Sequence, residues 1–193
     1  MLQKGFVGRG IYLVNPHRKY ERETMLEVIE NGCSPYYLDT LKHHAMNANT
    51  WHLRYPNNSP DKHLKMDIIE NEIKQPLLAG LAMGLLIQLY SKRQDLFLPD
   101  VSYCGIGLKD RYRLDNPHID HVNETDYIKI FGVINSDWGP QDGGLFMHGD
   151  EAIPMKPCQF VVFDPRIPHC ASEIFTNKKR LRVYTSTIRV GTD

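Results

Sequence analysis

The sequence predicts an α+β protein in which N-terminal helices support a C-terminal jelly roll. Three observations carry this. The chain changes character near Pro99, the residues before it show mainly helical periodicity, and those after it break into short β-like runs punctuated by Gly, Pro, Asn and Asp. A length of 193 residues suits a single domain, with residues 1–99 as a mainly helical support region and residues 100–193 as the jelly-roll core.

Taken in order, Glu21 to Asn31 (ERETMLEVIEN) has the spacing of a short amphipathic helix ended by Gly32. From about Pro60 to Arg93, the residues Leu64, Ile68, Ile69, Ile73, Leu77, Leu78 and Leu81 recur at helical spacing, and Pro76 kinks or divides the stretch. Between these, Met46 to Pro60 reads as loop, with a short strand at Trp51–Tyr55. The run Pro76 to Tyr90 is too short to span a bilayer and is flanked by charge, so it reads as a buried helix. Strands are expected near Asp100–Gly107, Tyr127–Asn135, Gly144–His148, Gln159–Asp164, Cys170–Phe175 and Leu181–Val190. Several short strands with regular turn signals suggest a sandwich or barrel rather than a parallel sheet.

Composition narrows the function classes. Lys plus Arg equals Asp plus Glu, 23 each, so no global field draws in nucleic acid or an anionic membrane. The cysteines Cys33, Cys104, Cys158 and Cys170 form no C-x-x-C pair, against a zinc finger or a thioredoxin-type redox centre. With no apolar stretch of signal-peptide type at the N-terminus, a reducing cytoplasm with free thiols is expected.

The segment Pro117-His118-Ile119-Asp120-His121 carries the chemistry. In an extended chain His118 and Asp120 point the same way and Ile119 the other, so an imidazole and a carboxylate reach adjacent positions on one metal. A third ligand is expected from His169, which follows the apolar strand Gln159–Asp164 and the turn Asp164-Pro165-Arg166. His148 competes but sits at a strand end by a turn, and His121 faces away from Asp120 in a regular strand. Two histidines and one carboxylate leave open positions for a bidentate cosubstrate and dioxygen on iron(II). The same set also serves catalytic zinc.

What favours iron is an anion-binding position after His169. If Thr176–Lys179 is a four-residue hairpin loop, Phe175 pairs with Arg180 and His169 lies opposite Ser186. Arg182 then shares a strand face with Ser186, placed for a bidentate grip on a carboxylate, with Arg180 as runner-up. Lys129, on the Tyr127–Asn135 strand, is a further candidate because some similar folds anchor the cosubstrate with a lysine there.

The segment from about Asp100 to Val190 resembles the catalytic core of the prolyl-4-hydroxylase-like 2-oxoglutarate/iron(II) oxygenases. The resemblance rests on Ser102-Tyr103-Cys104-Gly105 before the motif, His118-x-Asp120, Gly132-Val-Ile-Asn135-Ser-Asp-Trp138, the turn Asp142-Gly143-Gly144-Leu145, Phe163-Asp164 before His169, and the basic final strand. It implies a double-stranded β-helix core. It further implies Fe(II) on His118, Asp120 and His169, 2-oxoglutarate as cosubstrate held by Arg182 and the Tyr103 phenol, O2 as oxidant and ascorbate as reductant. The implied reaction hydroxylates an unactivated C–H bond and releases succinate and CO2. A prolyl or other residue of a peptide or protein is the expected substrate, with a free amino acid or small metabolite as the alternative. Two departures stand out: His169 to Arg182 is longer than in the nearest prolyl hydroxylases, and Tyr184 occupies a strand where small residues are usual. A cupin-like metal protein without 2-oxoglutarate, a zinc hydrolase and an inactive interaction domain are the rival readings.

Overall fold

The computed structural model describes residues 5–6, 11–12, 25–53, 64–111, 115–120 and 127–189. At the N-terminus β1 (Gly5–Phe6) and β2 (Ile11–Tyr12) form a two-stranded sheet. The first element of the main sheet is β3 (Leu26–Ile29), where the sequence had suggested a helix. Leu26 and Val28 turn to one side and Glu27 and Ile29 to the other. In so short a run the helical and strand periods overlap, and pairing with an available sheet edge decides. Residues 21–24 of the expected helix lie outside the described residues.

Helix α1 (Pro35–Met46) was not anticipated, although its signals are in the sequence. Ser34 caps it by accepting from Tyr37 N at 3.2 Å, Pro35 opens it, and Leu38, Leu41 and Ala45 form its buried stripe. The expected short strand near Trp51 is found as β4 (His52–Leu53). The helix expected from Pro60 is instead a strand for its first part, β5 (Leu64–Glu70), folded back through Asn71 at φ 58° onto β6 (Glu72–Ile73). Here Leu64, Met66 and Ile68 alternate with Lys65 and Asp67, a period of two that the neighbouring Ile69 and Ile73 disguise. Pro76 divides the stretch by opening α2 (Pro76–Lys92) at its first turn, where a missing N–H costs nothing. The helix is buried on one face only: Leu78, Ala82, Leu85, Leu86 and Leu89 are inside, while Leu77 and Ile87 are 62% and 55% exposed. Residues 1–99 therefore supply strands as well as helices. Among the described residues no helix is long and apolar enough to cross a membrane.

The second half contains β7 (Phe97–Lys109), β8 (Tyr127–Val133), β9 (Phe146–His148), β10 (Glu151–Ile153), β11 (Phe160–Phe163), β12 (His169–Ala171) and β13 (Arg180–Arg189). The major sheet runs β3-β11-β8-β13-β7-β5-β4, and the minor sheet runs β10-β9-β12. Residue His118 bridges to His169, which adds the segment 115–120 beside β12. Successive segments thus pass between the sheets: β7 major, 115–120 minor, β8 major, β9 and β10 minor, β11 major, β12 minor, β13 major. This is the winding of a double-stranded β-helix, an α+β jelly roll with helices on one side.

The two faces of the major sheet differ. Its outer face, with Met66, Ile68, Cys104, Ile106, Ile128, Ile130, Phe160, Leu181 and Val183, packs against α1 and α2 as the larger core. A smaller core of Phe131, Val133, Trp138, Phe146, Val161, Phe163 and Ile174 lies between the sheets. The rest of that inner face is polar, which is unusual enough to locate the site.

Gly132 on β8 lets the Phe160 ring lie flat against the outer face, because a Cβ there would collide with the ring. Gly132→Ala is expected to destabilise the protein by about 1–3 kcal/mol. Denaturant unfolding with the metal chelated would check this, and an unchanged midpoint would count against it.

Candidate metal centre

His118, Asp120 and His169 converge between the sheets, each offering one ligand atom within 4.8 Å of the others. The convergence begins in the backbone. His118 N donates to His169 O at 3.1 Å and His169 N to His118 O at 2.9 Å, while Asp120 N donates to Pro165 O at 2.9 Å. Directly paired residues point to the same face, so the two imidazoles lie side by side with ring centroids 4.7 Å apart. Each ring is also fixed in tautomer. His118 Nδ1 lies 3.0 Å from Asn116 O and His169 Nδ1 lies 2.9 Å from Ile167 O. A carbonyl only accepts, so both Nδ1 atoms carry a proton and Nε2 is the ring atom that each histidine would offer to a metal.

Asp120 completes the set, its Oδ2 3.3 Å from His169 Nε2 and hydrogen-bonded by Lys129. Burial would raise this carboxyl, but the His169 contact and the Lys129 charge outweigh it and hold it well below the usual carboxylate range. It is therefore an anion at neutral pH. Metal bonds of about 2.1 Å place neighbouring donor atoms about 3 Å apart, so modest side-chain movement closes these three on one ion. Phe163 packs edge-on to the His169 ring at 4.9 Å, and the Phe146 ring lies tilted to it at 6.3 Å.

The other candidates have different places. His148 is directly paired with His169 but turns its Nε2 to Asp164 O at 3.1 Å, and burial lowers its pKa. It supports the cluster from behind. His121 lies outside the described residues. Trp138 is buried beside Gly144, which with Gly143 adopts positive φ, so it packs as structure. Lys129 is drawn to Asp120, a contact that strand spacing alone did not reveal.

The expected hairpin after His169 is absent. β12 pairs with β9, and β13 lies in the other sheet between β7 and β8. Residues 175–179 carry the chain across, with Phe175 N donating to Asp142 O at 2.9 Å and Asn135 Nδ2 to Lys179 O at 3.1 Å. A short polar linker fits a crossing as well as a turn, which is why the pattern misled. Ser186 faces Tyr103 and Lys129 rather than His169. Alternation along β13 still places Arg180, Arg182, Tyr184 and Ser186 on the inner face.

These residues form levels. Lys129 and Ser186 stand at the level of Asp120, and the next pair inward is Phe131 and Tyr184, about 7 Å deeper at two residues per step. Both arginines reach back to that second level. The Arg182 guanidinium carbon lies 5.7 Å from the Tyr184 ring centre, and that of Arg180 lies 5.7 Å from the Phe131 ring centre. Arg180 is fully buried; its Nη1 donates to Gly144 O at 2.8 Å, while Nε and Nη2 find no acceptor among the described residues. Buried donors of this kind call for a further acceptor. Lys109, also fully buried, pairs with Asp115 at 2.8 Å, and Arg182 lies 3.8 Å from the same carboxylate oxygen. Tyr103, expected to offer its phenol to an anion, instead donates to Asp67 Oδ1 at 2.7 Å. Burial, with Tyr184 and Asp67 close by, pushes the phenol strongly up, so it stays protonated.

No family model and no curated protein matches the sequence. Solved structures do match in shape. A prolyl-4-hydroxylase of Pseudomonas putida superposes with a TM-score of 0.55 at 15% identity, over 86% of this chain and 93% of that one. HygX of Streptomyces hygroscopicus, with nickel, 2-oxoglutarate and hygromycin B bound, gives 0.62 at 10% identity over 86% and 83%. A Trichoplax adhaerens prolyl hydroxylase in complex with a hypoxia-inducible-factor peptide fragment gives 0.57 at 14% identity over 84% and 83%. The shared property is the fold.

Burial lowers the Lys109 amine from 10.5 to about 8, against the pull of Asp115. Below pH 8 the lysine is charged in both folded and unfolded chains. Between about pH 8 and 10.5 the unfolded chain binds more protons, so this residue's contribution to stability rises with pH. The unfolding free energy of the wild type should therefore gain on that of Lys109→Met across this window. A difference that stays flat would show that the amine titrates normally.

Proposed function

We propose that this protein is a 2-oxoglutarate- and Fe(II)-dependent oxygenase of the prolyl-4-hydroxylase-like type. The reaction is hydroxylation of an unactivated C–H bond with release of succinate and CO2. The observation that carries the reading is the pairing of two features on facing sheets. His118, Asp120 and His169 present two imidazole Nε2 atoms and one carboxylate, and two buried guanidiniums, those of Arg180 and Arg182, lie about 7 Å deeper on the inner face of β13. That depth suits a short diacid bound by one end at the metal and by the other at a guanidinium.

Iron held by this triad would supply the oxygen chemistry, and the open positions of such a ligand set accept a bidentate keto acid and O2. The protein's own part is positional. The carbonyls of Asn116 and Ile167 keep both imidazoles in the ligating tautomer. Lys129 keeps Asp120 ionised and oriented. Arg182 takes the distal carboxylate of 2-oxoglutarate, with the uncommitted donors of Arg180 beside it. Tyr103, its proton used on Asp67, frames the pocket wall through the Tyr184 hydroxyl 3.4 Å away.

A prolyl or other residue in a peptide or protein is the substrate favoured by the likeness to the prolyl hydroxylases, one of them solved with a peptide. The likeness to HygX, solved with hygromycin B, favours a small-molecule substrate as the second reading. A zinc hydrolase or cupin-like protein would make no use of the buried arginines. Ascorbate is the expected reductant for sustained turnover.

With Fe(II), ascorbate and 2-oxoglutarate the purified protein should form succinate, faster with its substrate present. His118→Ala and Asp120→Ala should each lower this by about a hundredfold or more. Succinate formation that survives both substitutions together would end the assignment. Arg182→Ala should raise the KM for 2-oxoglutarate more than about tenfold, with a smaller rise for Arg180→Ala. The reverse order would make Arg180 the clamp. Screening peptides containing proline against free amino acids and aminoglycosides separates the two substrate readings.

A further inference from the structure

Asp115 stands three residues before His118, in the same segment that carries two of the candidate ligands, and it is held by the opposite sheet. Its Oδ2 accepts a hydrogen bond from Lys109 Nζ at 2.8 Å and lies 3.8 Å from Arg182 Nη1. Lys109 ends β7 and Arg182 lies on β13, directly opposite Gly107 on that strand. One carboxylate oxygen therefore touches both halves of the proposed site: the ligand-bearing segment through the backbone and the anion clamp through space. All three side chains are buried, Asp115 and Arg182 with 8% and 11% of the side chain exposed and Lys109 with none.

We infer that Lys109 and Asp115 are positioning residues that serve the two binding events separately, with Lys109 keeping Asp115 off Arg182 and Asp115 tying the ligand segment to the major sheet. This rests on the oxygenase reading above.

The two distances give the reason. At 2.8 Å the lysine makes a full charge-assisted hydrogen bond, whereas at 3.8 Å the arginine makes an ion pair without one. A ligand carboxylate can then take the guanidinium without breaking a hydrogen bond to Asp115. Remove the ammonium, and a buried carboxylate is left beside Arg182, where pairing relieves its desolvation. The protein's own carboxylate would then compete with the ligand's. Neutralising Asp115 acts oppositely: it removes this carboxylate as a competitor for Arg182 but loosens the chain that leads into His118 and Asp120. A purely structural ion pair predicts no such opposition, since losing either partner would weaken everything in parallel.

The test uses calorimetric titration of the full-length protein with manganese(II) alone, and of the manganese-saturated protein with 2-oxoglutarate, alongside thermal melts. Lys109→Met should weaken 2-oxoglutarate binding about tenfold or more while changing manganese binding less than about threefold, and Lys109→Arg should restore it. Asp115→Asn should do the reverse, weakening manganese about tenfold or more and leaving 2-oxoglutarate binding equal or tighter. Parallel weakening of both ligands in both variants, or no change in Lys109→Met, overturns the inference. Should Asp115→Asn fail to fold, the contrast between Lys109→Met and Lys109→Arg decides alone. Failure of the wild type to bind 2-oxoglutarate would overturn the oxygenase reading and this inference with it, whereas wild-type binding that Lys109→Met leaves intact overturns the inference only.

Discussion

The site depends on one pair of backbone hydrogen bonds, those exchanged by His118 and His169. They join segments far apart in the chain and make the two histidines direct neighbours across an antiparallel pair. Every later feature follows from this alignment. Asp120 joins the same cluster because it lies two residues further along the same extended segment, and Pro165 O holds it there. A slip of one residue would turn one imidazole out of the barrel. Phe163 and Phe146 guard the register by filling the space behind the His169 ring.

The jelly roll reserves its inner face for chemistry by placing most of its apolar burial elsewhere. Helices α1 and α2 cover the outer face of the major sheet and form the larger core there. The inner face can then carry Lys109, Arg180 and Arg182 in buried positions, with Lys129 half-buried beside them, where an apolar core would not tolerate them. These cations are costly in an apolar setting, as the depressed Lys109 amine shows. Their cost is offset in part by Asp115, Asp120, the Gly144 carbonyl and the aromatic faces of Phe131 and Tyr184.

Much of this was legible in the sequence, unevenly and for physical reasons. His118 and Asp120 share a face because strand parity is local, and the strands after Pro99 announce themselves by alternation between turn signals. Segments 26–29 and 64–70 were misread as helix because only partner strands distant in sequence settle a short apolar run with two possible periods. The chain crossing at 175–179 was read as a hairpin because turn chemistry specifies a change of direction but not which sheet receives the next strand. The arginine facing survived that error, since alternation along β13 does not depend on its partners. Neither the Tyr103 bond to Asp67 nor the Lys109–Asp115 pair had any local signature, because each joins elements whose neighbourhood exists only in the folded chain.

The carbonyls that lock the two imidazoles belong to Asn116 and Ile167, each two residues before the histidine it serves. Main-chain oxygens survive any amino-acid replacement, so the ligating tautomer is inherited with the trace of the chain and not with neighbouring side chains. Selection can therefore rewrite the surrounding pocket for new molecules while the metal-facing atoms keep their orientation. A scaffold organised in this way can diverge until little beyond its shape identifies its relatives.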